Sequence, residues 1–224
     1  MSRFLVAAMV AALATGAFAQ YVIDDGSGET GVGAGDVFLA WSNSFTSVAG
    51  SEVITSIDVS FGHPTGAQVD MTGRTVNVFL MRDTNLDGVP DLTGGVLAST
   101  SGTIASYFHP TGVFQNFNIA DTFVAAGSGF AALVTIDSDA NAFPMRQDQT
   151  DPDVSGRSWV GFNAGAINAN NLAAIPVGQR GFIESFGLPG NWMIRATGAP
   201  VPEPASMIAL GLGAAALLRR RRSK

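Results

Sequence analysis

Residues 52–61 read EVITSIDVSF. Val53, Thr55, Ile57, Val59 and Phe61 alternate with Glu52, Ser56, Asp58 and Ser60. Successive side chains on a strand point to opposite faces, so the pattern predicts a strand with one wet face. Ile54 alone breaks the alternation. In residues 74–82, Val76, Val78 and Leu80 lie on one face and Phe79 and Met81 on the other, the mark of a central strand buried on both sides. Downstream, residues 95–100, the trio Val113, Phe117 and Ile119, the set Phe130, Ala132, Val134 and Ile136, and residues 158–162, 181–186 and 191–197 repeat such signals. Upstream, residues 20–25 and residues 37–45, with Phe38, Trp41 and Phe45, extend the set. Roughly eight to ten short strands with Gly, Pro, Asn and Asp turns predict an all-β domain, a β-sandwich of jelly-roll type. The Gly-rich residues 26–35 (GSGETGVGAG) read as a loop. No helix pattern follows them, so they are no phosphate cradle. Residues 164–174, rich in Asn and Ala, read as a loop or a single helical turn.

The chain has 224 residues and no cysteine, so no disulfide staples it and no thiolate binds metal. Residues 1–19 read as a signal peptide. Arg3 gives a positive start, residues 4–13 are apolar, and Ala17-Phe18-Ala19 forms a small-residue cleavage site before Gln20. Residues 20–198 are the expected sandwich, enough to bury a substantial core. This middle holds six arginines, no lysine and 17 acidic residues, a net charge of about −11. Such a surface repels nucleic acid and anionic lipid and attracts divalent cations.

Residues 199–204 form a linker ending in Val201-Pro202-Glu203-Pro204. The prolines hold the backbone extended. Residues 205–218 (ASMIALGLGAAALL) carry no charge and predict a transmembrane helix. At about 1.5 Å per residue they span roughly 21 Å of a core about 30 Å thick, which suits a transient anchor. Arg219, Arg220, Arg221 and Arg222 open the basic segment 219–224, which stays cytoplasmic. The order of motif, apolar run and basic cluster closely resembles the PEP-CTERM sorting signal of Gram-negative, exopolysaccharide-producing bacteria. The resemblance implies recognition and cleavage by exosortase, a membrane protease, with exosortase and the inner membrane as transient partners. It also implies export to the cell surface or beyond, with exopolysaccharide as a possible partner there. The order of segments is similar, more softly, to secreted sandwich domains found ahead of such tails. The stretches that carry this likeness are YVIDDGSGE, VFLMRDTNLDGVPD, FPMRQDQTDPDVSGRSWV and NWMIRATG.

The sharpest candidate site is residues 83–91. Asp83, Asn85 and Asp87 at relative positions 1, 3 and 5, Gly88 at 6, the Val89 carbonyl at 7 and Asp91 at 9 follow calcium-loop spacing. The nine residues resemble thrombospondin type 3 and dockerin calcium loops. Position 12 is Gly94 instead of Glu, so the bidentate ligand is missing. Asp, Asn and Gly at such offsets also suit a plain turn. Asp137, Asp139 and Asn141, with Asp148, Asp151 and Asp153 nearby, form a second acidic group that could help a cation. His63-Pro64-Thr65-Gly66 recurs as His109-Pro110-Thr111-Gly112, a turn pattern with a remote reading as paired metal ligands. No cofactor beyond calcium is expected.

G-x-S-x-G, H-E-x-x-H and a cysteine nucleophile are all absent. The reading is therefore a secreted, non-enzymatic structural protein of the cell surface or extracellular matrix. A carbohydrate-binding module is the first alternative. It would use Trp41, Trp159, Trp192 or Tyr107 on an exposed face, whereas tryptophans in such a domain are more often core. An extracellular hydrolase with paired carboxylates is the second.

Overall fold

Alternation in the sequence becomes layers in the computed structural model, which describes residues 19–66, 69–108, 112–150 and 154–201. Residues 1–18 of the expected signal peptide and the tail from Pro202 to the basic cluster lie outside the described residues. The strands are β1 (Ala19–Tyr21), β2 (Thr30–Val32), β3 (Phe38–Thr46), β4 (Val53–Val59), β5 (Thr75–Asp83), β6 (Val96–Thr103) and β7 (Gln115–Phe123). They continue as β8 (Gly129–Asp137), β9 (Met145–Asp148), β10 (Ser158–Asn163), β11 (Arg180–Phe182), β12 (Asn191–Trp192) and β13 (Ile194–Ala199). All pairings among them are antiparallel. One sheet runs β1-β13-β4-β7, a second runs β11-β10-β3-β8-β5-β6, and a small third runs β12-β9-β2. The domain is all-β and sandwich-like, as the alternation requires.

The irregular Ile54 has a structural cause. β4 shifts register between Ile54 and Ser56 against β7, and β13 shifts between Thr197 and Gly198 against β4. A bulge rotates the strand by one residue. Ile54 and Ile57, three apart, therefore both face the core and are fully buried. β3 and β8 are buried on both faces, for two reasons. Their inner side chains, among them Leu39, Trp41, Phe45 and Val134, enter the main core with Ile57, Leu80 and Trp192. Their outer side chains, Ala40, Ala131 and Leu133, meet Met81, Trp159, Ala169, Leu172 and Ile175 in a second core. The segment that supplies Ala169, Leu172 and Ile175 carries one 3-10 turn, Leu172–Ala174. It roofs the outer face of the large sheet. Each large side chain so buried contributes about 1.5–3 kcal/mol.

Four expectations need correction. The first strand, expected over residues 20–25, ends at Tyr21. The signal at 181–186 divides into β11 and a 3-10 turn, Ile183–Phe186. The signal at 191–197 breaks at Met193, where the chain passes from the small sheet into β13 and the Met193 N–H donates to the Arg146 carbonyl at 3.0 Å. Part of the Gly-rich loop, Thr30–Val32, is a strand that pairs with β9. Glycine is needed beside it: a Cβ on Gly28 would lie 2.2 Å from Arg146 Nε.

The register fixes what lies at each end of the sandwich. Ala19 pairs with Gly198, Ala199 with Val53, and Val53 with Phe123. Thr46 pairs with Gly129, and Gly129 with Asp83. The start of β1, the end of β13 and the loops after β3, β5 and β7 thus share one end, here termed the exit end.

Candidate functional site

The calcium-like loop begins where β5 ends, at the exit end. Asp83 is fully buried. Its Oδ1 accepts the Asp87 N–H at 3.2 Å and its Oδ2 accepts the Gly88 N–H at 3.1 Å. Burial pushes its carboxyl above the ordinary aspartate value. The Gly88 N–H works against that rise and the nearby Asp87 charge adds to it. Asp91 accepts the Thr84 N–H at 3.0 Å and the Thr84 hydroxyl at 2.5 Å. Asn85 Nδ2 donates to Asp87 Oδ2 at 2.7 Å, and Asp87 Oδ1 accepts the Val89 N–H at 2.9 Å. Leu86 (φ 59°) and Gly88 (φ 85°) take left-handed backbone. A Cβ at Gly88 would lie 2.0 Å from the Gly156 carbonyl oxygen, so only glycine fits. The side-chain oxygens here hold the loop in shape.

Three carboxylates converge elsewhere. Asp25, Glu29 and Asp148 place ligand oxygens within 4.8 Å of one another. β9 ends in Asp148, which is fully buried. Its Oδ2 accepts the Asp25 N–H at 2.7 Å, and its Oδ1 accepts the Thr150 N–H at 2.9 Å and hydroxyl at 3.0 Å. Burial raises its pKa. Exposed Asp25 is held below the ordinary value, foremost by the Ser27 N–H at 2.7 Å and then by the Ser27 hydroxyl. Burial works upward on Glu29. Hydrogen bonds from the Ser27 hydroxyl at 2.6 Å and the Gln149 N–H at 2.8 Å outweigh it and leave the carboxyl lowered. Arg146, fully buried on β9, donates from Nη2 to the Gly28 carbonyl at 2.7 Å. Glu29 favours its charge, although burial dominates and lowers its pKa. Next to the cluster, Arg195 grips Asp24 through Nε at 3.1 Å to each oxygen and through Nη2, and stacks 4.0 Å from the Phe114 ring centroid.

Two of the candidates separate in space. Asp139 pairs with Arg74, whereas Asp148 joins Asp25 and Glu29; Asp151 and Asp153 lie outside the described residues. His63 Nδ1 meets the Thr65 N–H at 3.2 Å and hydroxyl at 3.0 Å, and burial lowers its pKa. His109 lies outside the described residues. Trp41, Trp159, Trp192 and Tyr107 are at most 1% exposed, so all four are core. Spacing could not reveal the Asp25–Glu29–Asp148 cluster, because Asp148 lies more than a hundred residues from the other two. One signal was present: YVIDDGSGE, FPMRQDQTDP and NWMIRATG, quoted above for their likeness to secreted sandwiches, meet here. Asn191 pairs with Asp148 and Thr30 with Gln147.

Of the sorting residues only Val201 is described; Pro202, Glu203, Pro204, Arg219, Arg220, Arg221 and Arg222 lie outside. Among the described residues no helix is long and apolar enough to cross a membrane. Residues 200–222 match the PEP-CTERM protein-sorting motif. The chain thus carries this motif behind a β-rich domain, and the motif implies processing by exosortase and sorting to the cell surface. No curated protein matches the chain. Among solved structures, the domain is similar to a clostridial cysteine protease, Cwp84, after propeptide cleavage. The TM-score is 0.55 at 17% identity, over 82% of this chain and 40% of the protease. That likeness is one of fold alone, and this chain has no cysteine.

Proposed function

We propose that this is a secreted, non-enzymatic structural protein of the cell surface or extracellular matrix, freed from a transient inner-membrane anchor by exosortase. The observation that carries the reading is the sorting motif at residues 200–222, directly behind the last strand, β13. The structural role draws support from how the buried polar groups are used. Asn43 donates to the carbonyls of Trp192 and Ile194 at 2.6 and 3.0 Å, and its own oxygen accepts the Ser158 hydroxyl at 2.7 Å. Asp83 and Asp148 likewise bind backbone. Asn43 and Asp148 tie distant segments together and Asp83 fastens its own loop, a framework use of polarity. Strand order supports the jelly-roll reading: β1-β13-β4-β7 faces β3-β8-β5-β6, and β10 and β11 extend the second sheet beyond β3.

Calcium belongs to the proposal as a stabilising ion of the Asp83–Asp91 loop, supported by ligand spacing on a strongly acidic domain. Binding there would require the loop to exchange internal hydrogen bonds for cation contacts. The sorting reading is tested by intact-mass analysis of the surface form from a host with exosortase. The expected mass lacks the segment after about Pro204, as the motif requires. Recovery of full-length chain only, all of it in the inner membrane, would overturn it.

A further inference from the structure

We propose that the exit end of the sandwich is a lipid-facing surface that rests on the bilayer while the tail is anchored. Exposed large apolar side chains gather there: Phe123 at 61%, Val48 at 50%, Leu86 at 46% and Val201 at 40% exposed. Phe123 ends β7 and Leu86 sits in the loop after β5, and the two line one depression of about 360 Å³ together with Leu97 and Ala125. Val48 adjoins its rim. The neighbouring Ser47 N–H donates to the Ser128 carbonyl at 2.9 Å, and the Ser47 carbonyl accepts the Gly127 N–H at 2.8 Å. Leu86 holds its place at φ 59°, a conformation uncommon for a residue with a side chain. Apolar residues clustered on loop tips at one end of a domain mark an interaction surface more than scattered ones do.

The chain itself identifies the occupant. Val201 continues β13 out of this end, and the charge-free run 205–218 begins four residues later. Four residues reach at most about 13–14 Å. With that run in the membrane, the exit end lies within one headgroup layer of the hydrocarbon, the depth at which interfacial side chains insert by about 5–10 Å. Asp87 and Asp91 on the same loop outnumber Arg82 of the depression and disfavour anionic lipid, so the matching surface is zwitterionic.

This inference rests on the anchoring reading of the tail, and one experiment separates the two. The chain after removal of the expected signal peptide, residues 20–224, carrying Phe123→Trp, is reconstituted into phosphatidylcholine vesicles. The native Trp41, Trp159 and Trp192 are at most 1% exposed, so the new indole dominates quenching by added solutes. Val177→Trp, at a site 79% exposed just before β11, is the control. Flotation reports insertion of the tail. Acrylamide and bromine-labelled acyl chains report the depth of the indole. The expected result is flotation of both variants, with acrylamide quenching at 123 reduced about threefold and bromolipid quenching gained there alone, as interfacial burial demands. Flotation with positions 123 and 177 equally open to acrylamide would overturn the surface and leave the anchor standing. Failure to float would overturn both. Protection at 123 that persists in detergent and grows with protein concentration would assign the surface to a second copy of the chain and overturn the lipid.

Discussion

Asp83 closes β5 and Asp148 closes β9; both are fully buried, both accept backbone N–H groups, and burial raises the pKa of both. Their surroundings differ in origin. Asp83 binds Asp87 and Gly88, four and five residues on, and the other polar groups of its loop satisfy one another within the same turn. Asp148 binds Asp25, 123 residues away, and faces a second exposed acid, Glu29. The local set has the sequence spacing of a calcium loop but spends its oxygens on its own backbone. The remote set joins Asp25 and Glu29, four residues apart, to a third carboxylate more than a hundred residues on. Spacing reports which turn a chain can make, and convergence of ligand oxygens is a separate property that long-range pairing decides.

The strongest way to break this comparison is to delete each aspartate. Asp148→Ala leaves the Asp25 and Thr150 N–H groups without their acceptor and unfastens the segment before β2 from β9. We expect a loss of about 3 kcal/mol in urea unfolding, together with new protease cleavage in residues 22–29. Asp83→Ala should cost about 2 kcal/mol and open only its own loop. Equal cleavage patterns in the two variants would show that the long-range tie has no special weight.

Calcium sharpens the comparison at a smaller scale. Millimolar calcium at a site of roughly 0.1 mM affinity adds about 1.4 kcal/mol, and so raises the melting temperature by about 3–5 °C. Sodium at matched ionic strength controls for screening of acidic repulsion. Asp87→Ala should abolish the calcium-specific part and Glu29→Gln should spare it. The reverse outcome would move the ion to the converged carboxylates.

Acid gives the finest test. Asp83 and Asp148 bind a proton more readily folded than unfolded, so each contributes stability that grows as pH falls through its raised folded value. Asp25 and Glu29 do the opposite: their contribution is full above the unfolded carboxyl range, about 4, and is lost as pH falls through their lowered folded values. In melting temperatures recorded between neutral pH and about pH 3, Glu29→Gln should flatten the acid decline. Asp83→Asn should steepen it by removing the opposing gain. Parallel curves for wild type and both variants would contradict these assignments.

The regular part of this fold was legible in local pattern. β5 and β8 carry their periodicity within nine residues and stand where it requires, whereas β4 keeps its alternation only over Ile57–Val59, with Val53 and Thr55 half-buried and Ser56 buried. The bulge beside Ile54 was visible as a flaw in that periodicity. β2 and β9 were not legible. Thr30–Val32 and Met145–Asp148 are short and polar or glycine-containing, and they become strands because each finds the other across more than a hundred residues. Arg146, Gln147 and Asp148 are fully buried for the same reason, against every composition rule for charged and amide side chains. The candidate site divides likewise. The turn at Asp83 was written in consecutive residues, whereas the meeting of Asp25, Glu29 and Asp148 depends on sheet assembly.

The position of β13 decides how the domain bears mechanical load. It lies inside its sheet, between β1 and β4, and its last residue, Ala199, leads directly to the tail. Tension applied at Val201 runs along the strand axis, while antiparallel hydrogen bonds lie across it. The ladders to β1 and β4 therefore resist together, in shear, instead of opening one bond at a time like a zip. β1, which holds one flank, is itself three residues from Ala19 to Tyr21. Among the described residues the weaker flank is thus β1, and a pull on the tail would first be felt there.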